Sequence, residues 1–151
     1  MSAKPRERFS KTLVFSESQI SEFAKASGDT NPLHHDSDFA SKSRYGGIIA
    51  SGPQTSALLM GAVAAHFSRL YSMVGLEFSF FFRASVPAME PLQIDWLVIR
   101  NSPTRSGESS LVELRGRLQT SDGRTAVGAK GKILVNCGST STPNRSVQSR
   151  D

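Results

Sequence analysis

Cysteine is almost missing: Cys137 is the one thiol in 151 residues. A single cysteine excludes an intrachain disulfide and any multi-cysteine metal site. Its place at the edge of a polar tail reads as an ordinary free thiol rather than a reactive one. Long hydrophobic runs are missing too. The longest, Ala57 to Ala65, is less than half of the ~20 residues that a membrane span needs. The opening "MSAKPRERFSK" has charges with no apolar run behind it, so no secretory signal is expected. Together these shortages point to a reducing, cytoplasmic setting without membrane attachment.

Charge of one sign is in excess, at +5 and a pI near 9.8. Much of that excess sits at the ends, where Lys4, Arg6, Arg8, Lys11, Arg145 and Arg150 face only Glu7 and Asp151. Setting these aside leaves 12 of the 18 cations and 11 of the 13 acids, nearly balanced. A nucleic-acid groove is therefore not expected from net charge. The length suits one domain with a proper core, and 38% hydrophobic with 21% charged residues is ordinary for a globular chain. No internal repeat is visible. Residues 1–11 read as a flexible basic N-terminus, 12–136 as the folded domain and 137–151, "CGSTSTPNRSVQSRD", as a flexible polar tail.

Within the domain, a helix-and-loop half precedes a strand half. A short strand is expected at "KTLVF". "FSESQISEF" then marks a helix start, with Ser16 as N-cap, Gln19 as the reciprocal capping-box residue, and Phe15 and Ile20 placed as a hydrophobic staple. Gly28 supplies the stop. A second start lies at "ASGPQTS", where Ser51 or Gly52 caps and Pro53 suits the first turn. From Ala57 to Leu70 this helix is apolar nearly all round, so it should be largely enclosed. After Ser72 the period becomes two, through Val74, Phe78 and Phe82, then "PLQIDWLVIRN", then Val112 to Leu118, a hairpin signal at "SDGR", and Val127 to Val135. A twisted antiparallel sheet wrapped around one apolar helix accounts for this order. The fold expected is an α+β hot-dog.

The chemistry concentrates in "ASGDTNPLHHDSDFA", residues 26–40. Asn31-Pro32 favours a turn, which can bring Asp29 and His34 within hydrogen-bond reach. A carboxylate beside an imidazole orients the ring, and histidine exchanges protons near neutrality. The spacing is equally compatible with Asp29 as a turn cap and His34 as a polar loop residue. His35 reads as structural, and Asp36 and Asp38 as caps of the helical turn "SDFASKS". No zinc or two-His-one-carboxylate spacing is met, so no metal is expected.

"SGDTNPLHHDSDFA" followed by "YGGIIASG" resembles the hydratase motif of the MaoC-like, (R)-specific enoyl-CoA hydratase family, whose core is D-x-N-P-x-H. Asp29, Asn31, Pro32 and His34 match it in place, Gly52 matches the glycine opening the central helix, and the resemblance extends over most of residues 12–136. It implies a hydro-lyase that interconverts trans-2-enoyl-CoA and (R)-3-hydroxyacyl-CoA with no metal or redox cofactor. Asp29 and His34 would activate the water, the Gly52 N–H would bind the thioester oxygen, and Asn31 and Ser51 would be substrate-binding residues beside it, Asn31 also holding the loop. A homodimer or higher homo-oligomer is implied as well. Ser51 stands where many members have histidine, and Met60, which reads as core, where some have serine. The cations available for the CoA phosphates are Lys42, Arg44, Arg69 and Arg83, and His66 reads as a core or groove residue. A thioesterase and a non-catalytic acyl-CoA-binding subunit of the same fold remain as alternatives.

Overall fold

A computed structural model of the chain describes residues 3–136; the expected tail, with Cys137, lies outside them. Five strands, β1 (Arg8–Leu13), β2 (Ser72–Phe82), β3 (Leu92–Pro103), β4 (Ser109–Gln119) and β5 (Thr125–Asn136), form one antiparallel sheet in the order β1-β3-β4-β5-β2. Three helices, α1 (Glu17–Ala26), α2 (Ser37–Lys42) and α3 (Gly52–Phe67), lie between β1 and β2 in the chain. The sheet bends around α3, which is the hot-dog arrangement expected. The β4–β5 hairpin closes at the expected turn, where Gly123 takes a φ of 80°. No helix among the described residues is long and apolar enough to cross a membrane.

The boundary expected between residues 11 and 12 falls inside β1. Arg8 pairs with Leu97, the Arg6 N–H donates to the Val98 carbonyl, and Ala3 is buried. Charged residues disguise this strand because its outward positions face solvent while Phe9 turns inward. Phe9 stacks on His66 with ring centroids 3.9 Å apart, and His66 Nε2 lies 2.7 Å from Glu7 Oε1. His66 therefore fastens the N-terminal segment to α3.

Two cross-strand pairs set the distance between helix and sheet. Trp96 is paired with Gly116, and Phe78 with Gly131. A Cβ on Gly116 would sit 2.5 Å from the Trp96 ring, and one on Gly131 would sit 2.6 Å from Phe78. Each aromatic ring thus lies in space that glycine alone leaves open. The Trp96 indole N–H reaches across to the Leu59 carbonyl of α3 at 3.0 Å, satisfying its polar edge inside the core. Burying one such side chain contributes about 4–6 kcal/mol before entropy is counted.

Enclosure of α3 is incomplete in the single chain. Leu59, Val63 and Phe67 are buried, but Ala57, Met60, Gly61 and Ala64 are exposed at helical spacing. Met60, expected in the core, is 41% exposed. Nearby in the chain, Val74 and Leu76 are exposed on β2, an edge strand whose register shifts between Gly75 and Glu77.

Gly116→Ala will force the Trp96 ring out of its place. We expect a loss of about 1–3 kcal/mol in chemical denaturation, typical of overpacking. An unchanged midpoint would show that the ring has room to move.

Candidate functional site

The local sequence fixes the backbone of Asp29 before any tertiary contact does. Ser16 and Gln19 form the expected capping box at the start of α1. At its other end Gly28 adopts a φ of 76°. The Gly28 N–H donates to the Lys25 carbonyl at 3.1 Å and the Asp29 N–H to the Ala24 carbonyl at 2.8 Å. This is the two-bond helix stop that glycine favours, and it places Asp29 at its second bond.

The turn that follows is held by side chains. Asp29 Oδ1 accepts from the Asn31 N–H at 3.0 Å, and Asn31 Oδ1 accepts from the Leu33 N–H at 3.1 Å. Asn31 thereby caps a 3₁₀ turn, Pro32–His34, whose first residue needs no N–H. Asp36 Oδ1 caps α2 by accepting from the Phe39 N–H. His35 proves more than an incidental neighbour. Its Nε2 donates to the Asp29 carbonyl at 2.7 Å, and its Nδ1 accepts from the Ser21 hydroxyl at 3.0 Å. The ring braces the Asp29 main chain against α1, a role that no local spacing announces.

His34 is buried, and its ring is oriented from the opposite side. Nδ1 lies 2.7 Å from the Ile49 carbonyl oxygen. A carbonyl only accepts, so Nδ1 carries hydrogen, and in the neutral ring Nε2 holds a lone pair. That nitrogen faces Asp29 Oδ2 at 3.4 Å. Two acceptors then look at each other across a gap too long for a strong direct bond, and a small molecule with two O–H hydrogens satisfies both.

Residues 48–50 tie this pair to the start of α3. The Ile49 N–H donates to the Leu33 carbonyl, the Ala50 N–H to the Val86 carbonyl and the Ala88 N–H to the Ile48 carbonyl. Ser51 is 1% exposed and its hydroxyl accepts from the Gln54 N–H, so it caps the helix, and it is not among the residues that line the cavity beside it. Pro53 has no N–H, and the Thr55 N–H is bound to the Ser51 carbonyl. In the first turn of α3 the Gly52 N–H is left without a partner among the described residues. It stands at the positive end of the helix.

His34, Asn31 and Gly52 line one cavity of about 400 Å³, together with Thr55 and Phe82. Asp29 is not part of the wall and reaches it through His34. A Cβ on Gly52 would sit 3.1 Å from Phe82, so glycine lets that ring close over the helix start. Of the four cations considered for a phosphate-bearing substrate, Arg44 and Arg83 line the cavity, while Lys42 and Arg69 do not. The Arg44 guanidinium donates to the Tyr45 hydroxyl at 2.7 Å and lies over its ring. Among the described residues no group of three or more His, Cys, Asp or Glu side chains is placed to hold a metal ion.

Comparison with known proteins follows the same lines. Solved structures of similar fold include the (R)-hydratase from A. caviae involved in PHA biosynthesis, with a TM-score of 0.77 at 21% identity, covering 87% of this chain and 96% of that one. R-hydratase PhaJ1 from Pseudomonas aeruginosa gives 0.78 at 21% identity, covering 97% and 94%. The C-terminally truncated HadBC complex, a (3R)-hydroxyacyl-ACP dehydratase from Mycobacterium tuberculosis, gives 0.73 at 18% identity, covering 88% and 98%. At these identities the likeness establishes the fold. No curated protein sequence matches the chain. Residues 2–99 match the family model of the MaoC like domain, and the chain therefore belongs to the MaoC-like dehydratase family.

Proposed function

We propose that this chain reversibly hydrates a trans-2-enoyl-CoA to an (R)-3-hydroxyacyl-CoA. The observation that carries this reading is the pair of facing acceptors, Asp29 Oδ2 and His34 Nε2, set 3.4 Å apart beside a cavity that also holds the Gly52 N–H. A water donating one hydrogen to each acceptor is fixed in place and made more nucleophilic. Its oxygen bonds to C3 of the enoyl thioester while one of its protons passes to the pair. The π electrons move toward the thioester oxygen, giving an enolate that accepts a hydrogen bond from Gly52 at the helix start. The pair then delivers a proton to C2 as the enolate collapses, so one molecule of water is added and nothing else is consumed. Elimination is the same path reversed. Asn31 and Ser51 serve by holding the turn and the helix start, and Arg44 and Arg83 are the cations best placed for the substrate's phosphates.

A second hot-dog chain completes the assembly in this reading, a second copy being the simplest case. The apolar strip Ala57, Met60, Gly61 and Ala64 on α3 and the free edge of β2 with Val74 and Leu76 are what a partner would cover. Scattering by the wild type should give twice the 16.3 kDa chain mass. The Met60→Glu, Leu76→Glu double variant should fall to the chain mass, and a monomeric wild type contradicts the assembly.

Loss of enoyl absorbance on crotonyl, hexenoyl and branched enoyl thioesters measures the hydration, and release of free thiol reports a thioesterase instead. Asp29→Asn keeps an oxygen for the Asn31 N–H, and His34→Asn keeps an N–H for the Ile49 carbonyl. Each should lower turnover by about 100-fold or more with the circular dichroism spectrum unchanged. Near-wild-type turnover in either removes the assigned mechanism. Thiol release without hydration moves the chain to the thioesterases, and neither activity to the binding subunits.

His35 acts on this chemistry only through the Asp29 backbone. His35→Ala should reduce kcat by about tenfold with KM little changed, since the loop loosens while the cavity stays. His35→Gln, whose amide N–H can reach the Asp29 carbonyl, should recover most of it. No loss in His35→Ala would mean that the brace is irrelevant, and equal losses in both that the bond to the Asp29 carbonyl is not its basis.

A further inference from the structure

A concavity of about 590 Å³, against about 400 Å³ for the cavity of His34, lies on the face of the sheet turned away from α3. Strand register determines what meets there. Arg8, Leu97, Arg115, Lys130 and Ser79 form one row across all five strands, and Ser10, Asp95, Arg117, Gly128 and Phe81 form the next. Five cations, Arg8, Arg83, Arg115, Arg117 and Lys130, line the groove against one carboxylate, Asp95. That carboxylate is already engaged by Arg117 at 3.3 Å and by Gln93 at 2.9 Å.

A neighbouring row shows what this sheet does elsewhere. Arg100, Glu113, Lys132 and Glu77 succeed one another across four strands with alternating sign, and Lys132 pairs with Glu77 at 3.4 Å. The row in the groove abandons that alternation and sets Arg115 directly opposite Lys130. Like charges in directly opposed positions destabilise a sheet. The near-neutral balance of the domain hides this, because it does not show that the two groove rows hold Arg8, Arg115, Arg117 and Lys130 against Asp95 alone.

The floor is suited to a flat group. Phe81 presents its ring with the Lys130 ammonium 5.8 Å from the centroid, and beside it Gly128 keeps the floor flat, a Cβ there meeting the Phe81 Cβ at 3.9 Å and the Arg83 guanidinium at 4.0 Å. The volume falls in the range of small-ligand pockets, roughly 300–1,000 Å³. We propose that this groove binds a nucleotide-sized ligand carrying two or more phosphates, its phosphates meeting Arg8, Arg115 and Lys130 and its base lying on Phe81 and Gly128. A second copy of the chain does not suit this face, because two-fold packing would bring the same cations together. Arg83 lines both this groove and the cavity of His34. The ligand is either a free nucleotide or, since Arg83 joins the two cavities, the nucleotide end of a CoA thioester; the site stands on its own contacts and does not require the hydration reaction.

Calorimetric titration of the full chain with ADP, CoA, pyrophosphate and a single-stranded oligonucleotide tests the site. ADP and CoA should bind, pyrophosphate about tenfold more weakly for lack of the base, and Arg115→Gln with Lys130→Gln should weaken both nucleotides by tenfold or more. CoA at least tenfold tighter than ADP assigns the groove to the thioester's nucleotide end, and equal affinities assign it to a free nucleotide. Both support the site. The double variant should also unfold at a higher temperature without ligand, because the facing charges are gone; this readout shows that it folds. The inference is overturned if neither nucleotide binds at about 1 mM, if affinity is the same in wild type and variant, or if the oligonucleotide binds more tightly than both nucleotides.

Discussion

One backbone oxygen sets the terms for the whole site. The Ile49 carbonyl accepts from His34 Nδ1, so the ring has one hydrogen committed and one nitrogen to spare. Without that bond the imidazole is free to turn over, and its basic nitrogen need not face Asp29. The carbonyl is held in turn by a segment stitched to the 3₁₀ turn on one side and to residues 86–88 on the other. The proton chemistry of a side chain is thus governed by a main-chain group fifteen residues away.

The fold is arranged to keep that oxygen and the helix start in register. The Trp96 ring over Gly116 and its N–H on the Leu59 carbonyl fix where α3 lies against the sheet. Where α3 lies fixes where Gly52 presents its unpaired N–H. Behind the cavity wall stands α1, whose glycine stop delivers Asp29 and whose Ser21 holds His35. The stop of α1 and the 3₁₀ turn thus bring Asp29 and His34 to 3.4 Å, and α3 adds Gly52 to the cavity that His34 lines. The surfaces left over divide by chemistry, apolar along α3 and the β2 edge, cationic across the outer sheet.

Much of this was legible in the residues alone, for identifiable reasons. Capping boxes, a glycine stop and an Asn-Pro turn are local, so their geometry can be read from neighbours; they permit the approach of Asp29 to His34, which the resemblance to the hydratase motif singled out. Alternation of period two gave the sheet for the same reason. What escaped depends on distant contacts. His35 looks like an idle loop residue until Ser21, fourteen positions earlier, is brought beside it. The strand expected at residues 11–15 begins earlier, at Arg8, and that start escaped because an edge strand with one inward side lets charges such as Arg8 and Lys11 into its sequence. The cationic groove escaped because summing charge along the chain erases which face each residue occupies. The exposure of Met60 escaped because an apolar helix signals only that something covers it, without saying whether the same chain does.

The tautomer of His34 is the most direct test. Long-range nitrogen–hydrogen correlation NMR on uniformly ¹⁵N-labelled protein, at a pH where the ring is neutral, assigns the hydrogen to one nitrogen or the other. The account predicts hydrogen on Nδ1 and a bare Nε2 turned to Asp29. Hydrogen on Nε2 would contradict it, because the Ile49 carbonyl would then face a lone pair and the water-holding pair would not exist.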